Sequence, residues 1–228
     1  FHFVIATREG PDFTREDLRA QDELLEFTSS DLAFSENDVR QVLDAMGALS
    51  IGESEISRLT DRTEGWPLAV ELALKWSLGH QKKTREISDF SGRTIDLARY
   101  LSEQILAGLP QDVQTFLLNI SILQRINGDL AKAVTQIQDS WARLEKLGQQ
   151  NIFLLPMDSS SDWFRFHPLV AEFLTDRLAR TESSGYIDNL HQRAARWFAA
   201  HGYLGEALAH ATIAQDNLYK ADLLEEAG

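Results

Sequence analysis

The feature that most narrows the fold is a pair of short apolar runs, Ile152-Phe153-Leu154-Leu155 and Trp163-Phe164-Arg165-Phe166, set around the polar stretch Pro156 to Asp162. Apolar and aromatic residues bounded by Pro, Ser and Asp read as two strands joined by a turn-rich loop. Upstream of them, Pro110 starts a helix carrying Val113, Phe116, Leu117 and Ile120, and further helices are expected around Ala131 and Leu144. Helices followed by a β-hairpin make a winged-helix arrangement. Asp158-Ser159-Ser160-Ser161-Asp162 is then a hairpin loop of turn-forming residues, not a catalytic cluster.

The N-terminal part has a different pattern. Phe3-Val4-Ile5-Ala6 lacks polar alternation and ends at Thr7-Arg8, as expected of a strand buried on both faces of a parallel α/β sheet. No residues precede it to build that sheet, so the sequence is expected to be a piece of a larger protein. Thr14 to Asp17 leads into a short helix through Leu18, and Leu24-Leu25-Glu26-Phe27 predicts a second short strand. Ser35 with Asp38, then Ser50 with Glu53, read as caps for two helices, the first holding Val39, Val42 and Leu43 and the second Ile56 and Leu59. Gly65-Trp66-Pro67 begins another, with Pro67 in the first turn where its missing N–H costs nothing. That helix, Leu68 to Leu78, is apolar nearly all round and is expected to be buried.

Gly79 to Gly92 is polar and aperiodic, the best candidate for a domain boundary. Beyond it Leu97, Leu101, Ile105 and Leu109 recur every four residues. From Tyr186 onward, Ala194, Ala195, Trp197, Phe198 and Ala200 give way at Gly202 to Ala207, Leu208 and Ala211. Small and aromatic residues on paired helices suggest the start of a helical repeat.

Composition excludes several function classes. The chain has no cysteine, hence no disulfide framework, thiolate metal site or cysteine nucleophile. A formal charge of −13 over 228 residues opposes direct attraction to nucleic acid or anionic lipid. No apolar run approaches the roughly 20 residues of a membrane helix, so a cytoplasmic location is expected. The six histidines show no H-E-x-x-H spacing. His191/His201 and His201/His210 come without a carboxylate set that would define a metal site.

Four segments, FVIATREGP, TEGWPLAVELAL, NIFLLPMDSSSDWFRFHPLVAEFL and HQRAARWFAAHGYLGEALAHA, resemble in order and spacing the MalT-like regulators. These are the large ATP-dependent members of the LuxR group, within the STAND class of signalling NTPases. The resemblance implies a mostly α chain: a remnant of the nucleotide-binding α/β domain in 1–35, a helical lid in 36–85, a winged-helix domain in 86–182 and the start of a TPR-like sensor in 183–228. It implies ATP and ADP as ligands of a full-length parent, and an inducer acting through sensor helices further downstream. It also implies self-association of the active form, and DNA contact only through a helix-turn-helix domain outside this chain.

Carried over position by position, Arg8 matches the arginine that approaches the terminal phosphate. A guanidinium at the carboxyl end of a parallel strand can read a phosphate, though it can equally cap the strand with a solvated ion pair. Trp66 and Pro67 match the lid motif beside the base and sugar, where Trp66 either stacks on the base or staples its helix to the core. His167 matches the histidine that reaches the β-phosphate of ADP in the resting state. It lies beside a helix N-terminus begun by Pro168, which favours anions, or it serves only as that helix's cap. Arg8 and His167 would then converge on one polyphosphate.

No G-x-x-x-x-G-K-[ST] loop occurs in the sequence, so no catalytic residue and no metal site is assigned. The chain alone is expected to hydrolyse nothing and to bind ATP weakly or not at all. Two other readings stay open. One is a winged helix that reads DNA itself, with Arg143 and Lys146 but also Glu145 on the relevant helix. The other is a helical scaffold binding a protein through Tyr186 to Gly228.

Overall fold

The computed structural model describes residues 3–7, 15–46, 51–78, 89–149, 154–157 and 162–226. They form twelve α-helices, one π-turn and one two-stranded sheet, divided between two compact units, Phe1–Tyr100 and Leu101–Gly228.

The first unit holds α1 (Arg15–Ala20), α2 (Glu36–Ala45), α3 (Glu53–Thr63), α4 (Pro67–Leu78) and the start of α5 (Ile95–Leu101). The cap predicted for α2 is present: Ser35 accepts from the Asp38 N–H, and the Asp38 carboxylate accepts from the Ser35 N–H at 2.9 Å. For α3 the cap is Gly52, whose N–H donates to the Glu55 carboxylate at 3.1 Å, while Ser50 lies outside the described residues. The N3 carboxylate alone satisfies the capping residue's N–H there, so the side chain at the cap is dispensable. Val39 and Leu43 of α2, Ile56 and Leu59 of α3, and Ala69, Val70, Ala73 and Leu74 of α4 build this unit's core.

The expected strands near the N-terminus are absent. Residues 3–7 and Leu24 to Phe27 pair with no strand among the described residues, and Phe3, Val4, Ile5, Leu25 and Phe27 are all exposed. A strand exists only beside another strand that takes its N–H and C=O groups, and no described strand lies beside either segment.

In the second unit α5 runs into a π-turn over Ser102–Leu106. Leu101 and Leu106 are both buried in this unit, and the π-turn adds a residue to the turn between them. α6 (Gln111–Ile120), α7 (Gly128–Thr135) and α8 (Ser140–Gln149) follow. Asn127 caps α7 by accepting from the Leu130 N–H at 2.8 Å, and Gln136 ends it in the left-handed region.

β1 (Leu154–Pro156) and β2 (Phe164–Phe166) pair antiparallel, Leu154 opposite Phe166. Ile126 adds a third position by exchanging two 2.8 Å hydrogen bonds with Phe164. Leu154, Phe164, Phe166 and Ile126 all face the helices, completing a winged helix. α9 (Pro168–Thr181), α10 (Ser184–Ala200), α11 (Leu204–Ile213) and α12 (Asn217–Glu226) complete the chain, with α10 packed on both α7 and α11. Gly202 makes the α10–α11 turn at φ +80°.

Candidate functional site

The residues expected at the site fall in three places. Arg8 lies outside the described residues. Trp66 and Pro67 belong to the first unit and His167 to the second.

The lid motif is shaped by its glycine. Glu64 and Gly65 both take positive φ, 47° and 70°, which ends α3 and reverses the chain. The Gly65 carbonyl accepts from the Phe34 N–H at 2.7 Å, so the turn is fastened to the segment entering α2. Trp66 then caps α4 with its backbone: its carbonyl accepts from the Val70 N–H at 3.0 Å, and its own N–H donates to Thr63 at 2.8 Å. Its indole is half-buried and lies 6.1 Å from the Tyr100 ring at a tilt of 52°. This contact ties the start of α4 to α5.

His167 is 5% exposed and is the N-cap of α9. Pro168 has no N–H to satisfy. The Leu169 N–H donates to His167 Nδ1 at 3.3 Å, and the Val170 and Ala171 N–H groups donate to the His167 carbonyl at 2.9 Å each. The backbone donors of this helix start are thus taken up within the chain. An anion at this end would meet the helix dipole and the imidazole, not a row of open N–H groups. A ring nitrogen that accepts carries no proton, so a neutral His167 holds its proton on Nε2 and is a donor there. A fully protonated ring could not form this cap.

The face that a DNA-reading winged helix would use is electrically quiet. Arg143 of α8 donates to Asp112 at 2.8 Å and to Asp139 at 3.2 Å. The hydrogen bond from Arg143 holds the Asp112 carboxyl below its ordinary pKa, and Asp112 raises the guanidinium in return. On the same helix, exposed Lys146 lies beside exposed Glu145.

Two constellations escaped the sequence. His191 and His210, which sequence spacing compared only with His201, meet each other, Nδ1 to Nδ1 at 2.8 Å, both buried between α10 and α11. The signal was available: each sits on the alanine-rich stripe of its helix, His191 next to Leu190 and one turn before Ala194 and Ala195, His210 beside Ala211. The second is Arg125, whose guanidinium lies 4.1 Å from the Tyr203 ring and 4.8 Å from the Trp163 ring. No local pattern announced it. Among the described residues, no group of three or more His, Asp or Glu could hold a metal ion.

Known proteins match this chain in two kinds. The model of the MalT winged helix domain matches residues 102–186. The serine/threonine-protein kinase PknK of Mycobacterium tuberculosis H37Rv is 36% identical over 209 residues, covering 92% of this chain and 19% of the kinase. The HTH-type transcriptional regulator MalT of Yersinia enterocolitica is 33% identical over 223 residues, and that of Cronobacter sakazakii 31% over 226, each alignment covering 97% of this chain and 25% of the regulator. The chain therefore spans between a fifth and a quarter of the length of these curated relatives. The hairpin and the helix order agree with the match of residues 102–186 to the MalT winged helix domain, and over most of its length the chain is similar to the MalT regulators.

Proposed function

We propose that this chain is the regulatory segment of an ATP-dependent, MalT-like transcriptional regulator, reporting nucleotide state and passing it to the helices that follow the winged helix. Arg8 reads the terminal phosphate, Trp66 and Pro67 lie beside base and sugar, and His167 takes the β-phosphate of ADP in the resting form. The domain limits proposed from the resemblance, 1–35, 36–85, 86–182 and 183–228, are those of the nucleotide-domain remnant, lid, winged helix and repeat start. The segment is not itself an enzyme, since it brings no phosphate loop. Its nucleotide, inducer and DNA partners all require the longer parent, and the protein works in the cytoplasm. No described helix is long and apolar enough to cross a membrane.

One observation supports this reading: His167 is buried as the N-cap of a 14-residue helix, at the end whose dipole favours an anion. The exposed apolar side chains of Phe3, Val4, Ile5, Leu25 and Phe27 also agree with segments that are covered elsewhere in the parent. The presence of the same segment in proteins named as a kinase and as a transcriptional regulator supports a module that serves different outputs.

The test uses His167 in the full-length parent. His167→Ala is expected to raise inducer-independent activity and to cost the second unit about 1 kcal/mol through loss of the cap. His167→Asp restores a good N-cap but presents a negative charge to phosphate, so it too is expected to raise resting activity, now without the stability loss. Resting activity at the wild-type level in the Asp variant overturns the clamp. For the chain by itself, calorimetric titration with ATP is expected to give no tight binding, and a tight site would contradict the role assigned to the missing phosphate loop.

A further inference from the structure

The bridge between Ile126 and Phe164 fixes more than a short sheet. Successive residues of an extended segment point to opposite faces, so Ile126 and Phe164, both buried, leave Arg125 and Trp163 together on the other face. Trp163 there meets the helical hairpin edge-on, 6.2 Å from the Trp197 ring of α10 and 6.2 Å from the Tyr203 ring at the start of α11. Arg125 lies among these rings, 4.8 Å from Trp163, 4.1 Å from Tyr203 and 5.9 Å from Phe198, and it makes an ion pair with Glu206 of α11. A flat, weakly hydrated guanidinium can stack on aromatic faces while keeping a carboxylate partner, which an ammonium does poorly.

We propose that Arg125 is a latch fastening the wing of the winged helix to the α10–α11 hairpin, and that its withdrawal from the aromatic box is the step that uncouples them. The N-terminal half of α10 has its own attachments to the winged helix: Asn119 donates to the Tyr186 hydroxyl at 2.8 Å, and Arg193 donates to the Val134 carbonyl at the end of α7 at 2.6 Å. At the other end of the hairpin the Arg125 cluster supplies the polar and aromatic fastening. Loss of Arg125 therefore frees the end of α10 and all of α11 while α6, α7 and the start of α10 stay docked. A push on α11 reaches the wing, and with it the strand that leads to His167, through this cluster. The linkage holds whether or not a nucleotide is ever bound at His167, so it goes beyond the proposed function.

Hydrogen exchange on the whole chain tests it. In Arg125→Gln the amides of Ala207 and Ala211 are expected to exchange about tenfold faster or more, while those of Phe116, Leu117 and Ala131 keep their wild-type rates. Arg125→Lys keeps a charge for Glu206 but not the flat stacking group, so it is expected to show the same split at about threefold, and it decides the matter if the Gln variant does not fold. Equal acceleration in α6 and α11, or none in either, overturns the latch.

Discussion

Gly65→Ala is expected to destabilise the Phe1–Tyr100 unit by about 2–4 kcal/mol, the sum of a left-handed backbone penalty and a clash that has no room to relax. At φ +70° an added Cβ would lie 2.4 Å from the Phe34 carbonyl oxygen and 2.9 Å from its nitrogen, both backbone atoms. The same carbonyl-to-N–H pairing that closes the turn, Gly65 accepting from Phe34 at 2.7 Å, has to open to admit the methyl group. Gly202→Ala is the matched control, because Gly202 sits at φ +80° with nothing within 4 Å of the position its Cβ would take. It is expected to cost the second unit only the backbone part, about 1 kcal/mol. Urea unfolding, followed separately for each unit, measures both. Equal costs would show that the fastening of the lid turn to Phe34 contributes nothing, and would remove the reason for placing Trp66 and Pro67 on a rigid corner.

Acid is expected to loosen the second unit through its buried histidine pair. Burial, and then the neighbouring His191, push His210 down to about 4, with Glu206 opposing; burial also lowers His191, with Asp188 opposing. Phe198 stacks on the His210 ring, and the buried residues of α7, Leu130, Ala131 and Val134, are apolar. The Nδ1–Nδ1 hydrogen bond uses one ring as donor and the other as acceptor, an arrangement two neutral imidazoles satisfy and two charged ones cannot.

Because the folded pKa is depressed, the unfolded chain binds the extra proton over the interval between the two values. Stability is therefore complete above pH 6.5 and falls as pH drops toward 4. The slope is about 1.4 kcal/mol per pH unit for one such group, or about 3 kcal/mol in all from His210. His210→Leu strands the His191 Nδ1 in the interior and is expected to cost about 1–3 kcal/mol at pH 7. Replacing both with leucine removes the unmet polar atom along with the proton site, so the double variant is expected to be near wild type at pH 7 and flatter between pH 7 and 4. A wild-type stability curve parallel to that of the double variant would sink the proposal that this pair governs acid sensitivity.

Both results bear on how much of this protein can be read without coordinates. The helix starts at Ser35 and Pro67 and the paired strands around Phe164 came from neighbours in sequence, because a cap or a hairpin is satisfied by groups a few residues away. His167 was legible as a helix start for the same reason, Pro168 marking the first turn. The segments Phe3 to Ala6 and Leu24 to Phe27, expected as strands, form none among the described residues. Apolar composition licenses a strand, but only an adjacent backbone forms one. The cap expected at Ser50 lies outside the described residues, and α3 starts at Gly52, whose N–H donates to the Glu55 carboxylate.

The sequence alone settled the succession of helices, the winged hairpin, the lid turn and the MalT-like character of the chain, since each depends on interactions over a few residues or on similarity along the chain. Tertiary structure decided which histidines meet and where Arg125 goes. Those partners lie 19 residues apart for His191 and His210, and 81 apart for Arg125 and Glu206. No local pattern encodes such distances. They follow from α10 folding back on α7 and α11, and from an extended segment that turns alternate side chains to opposite faces.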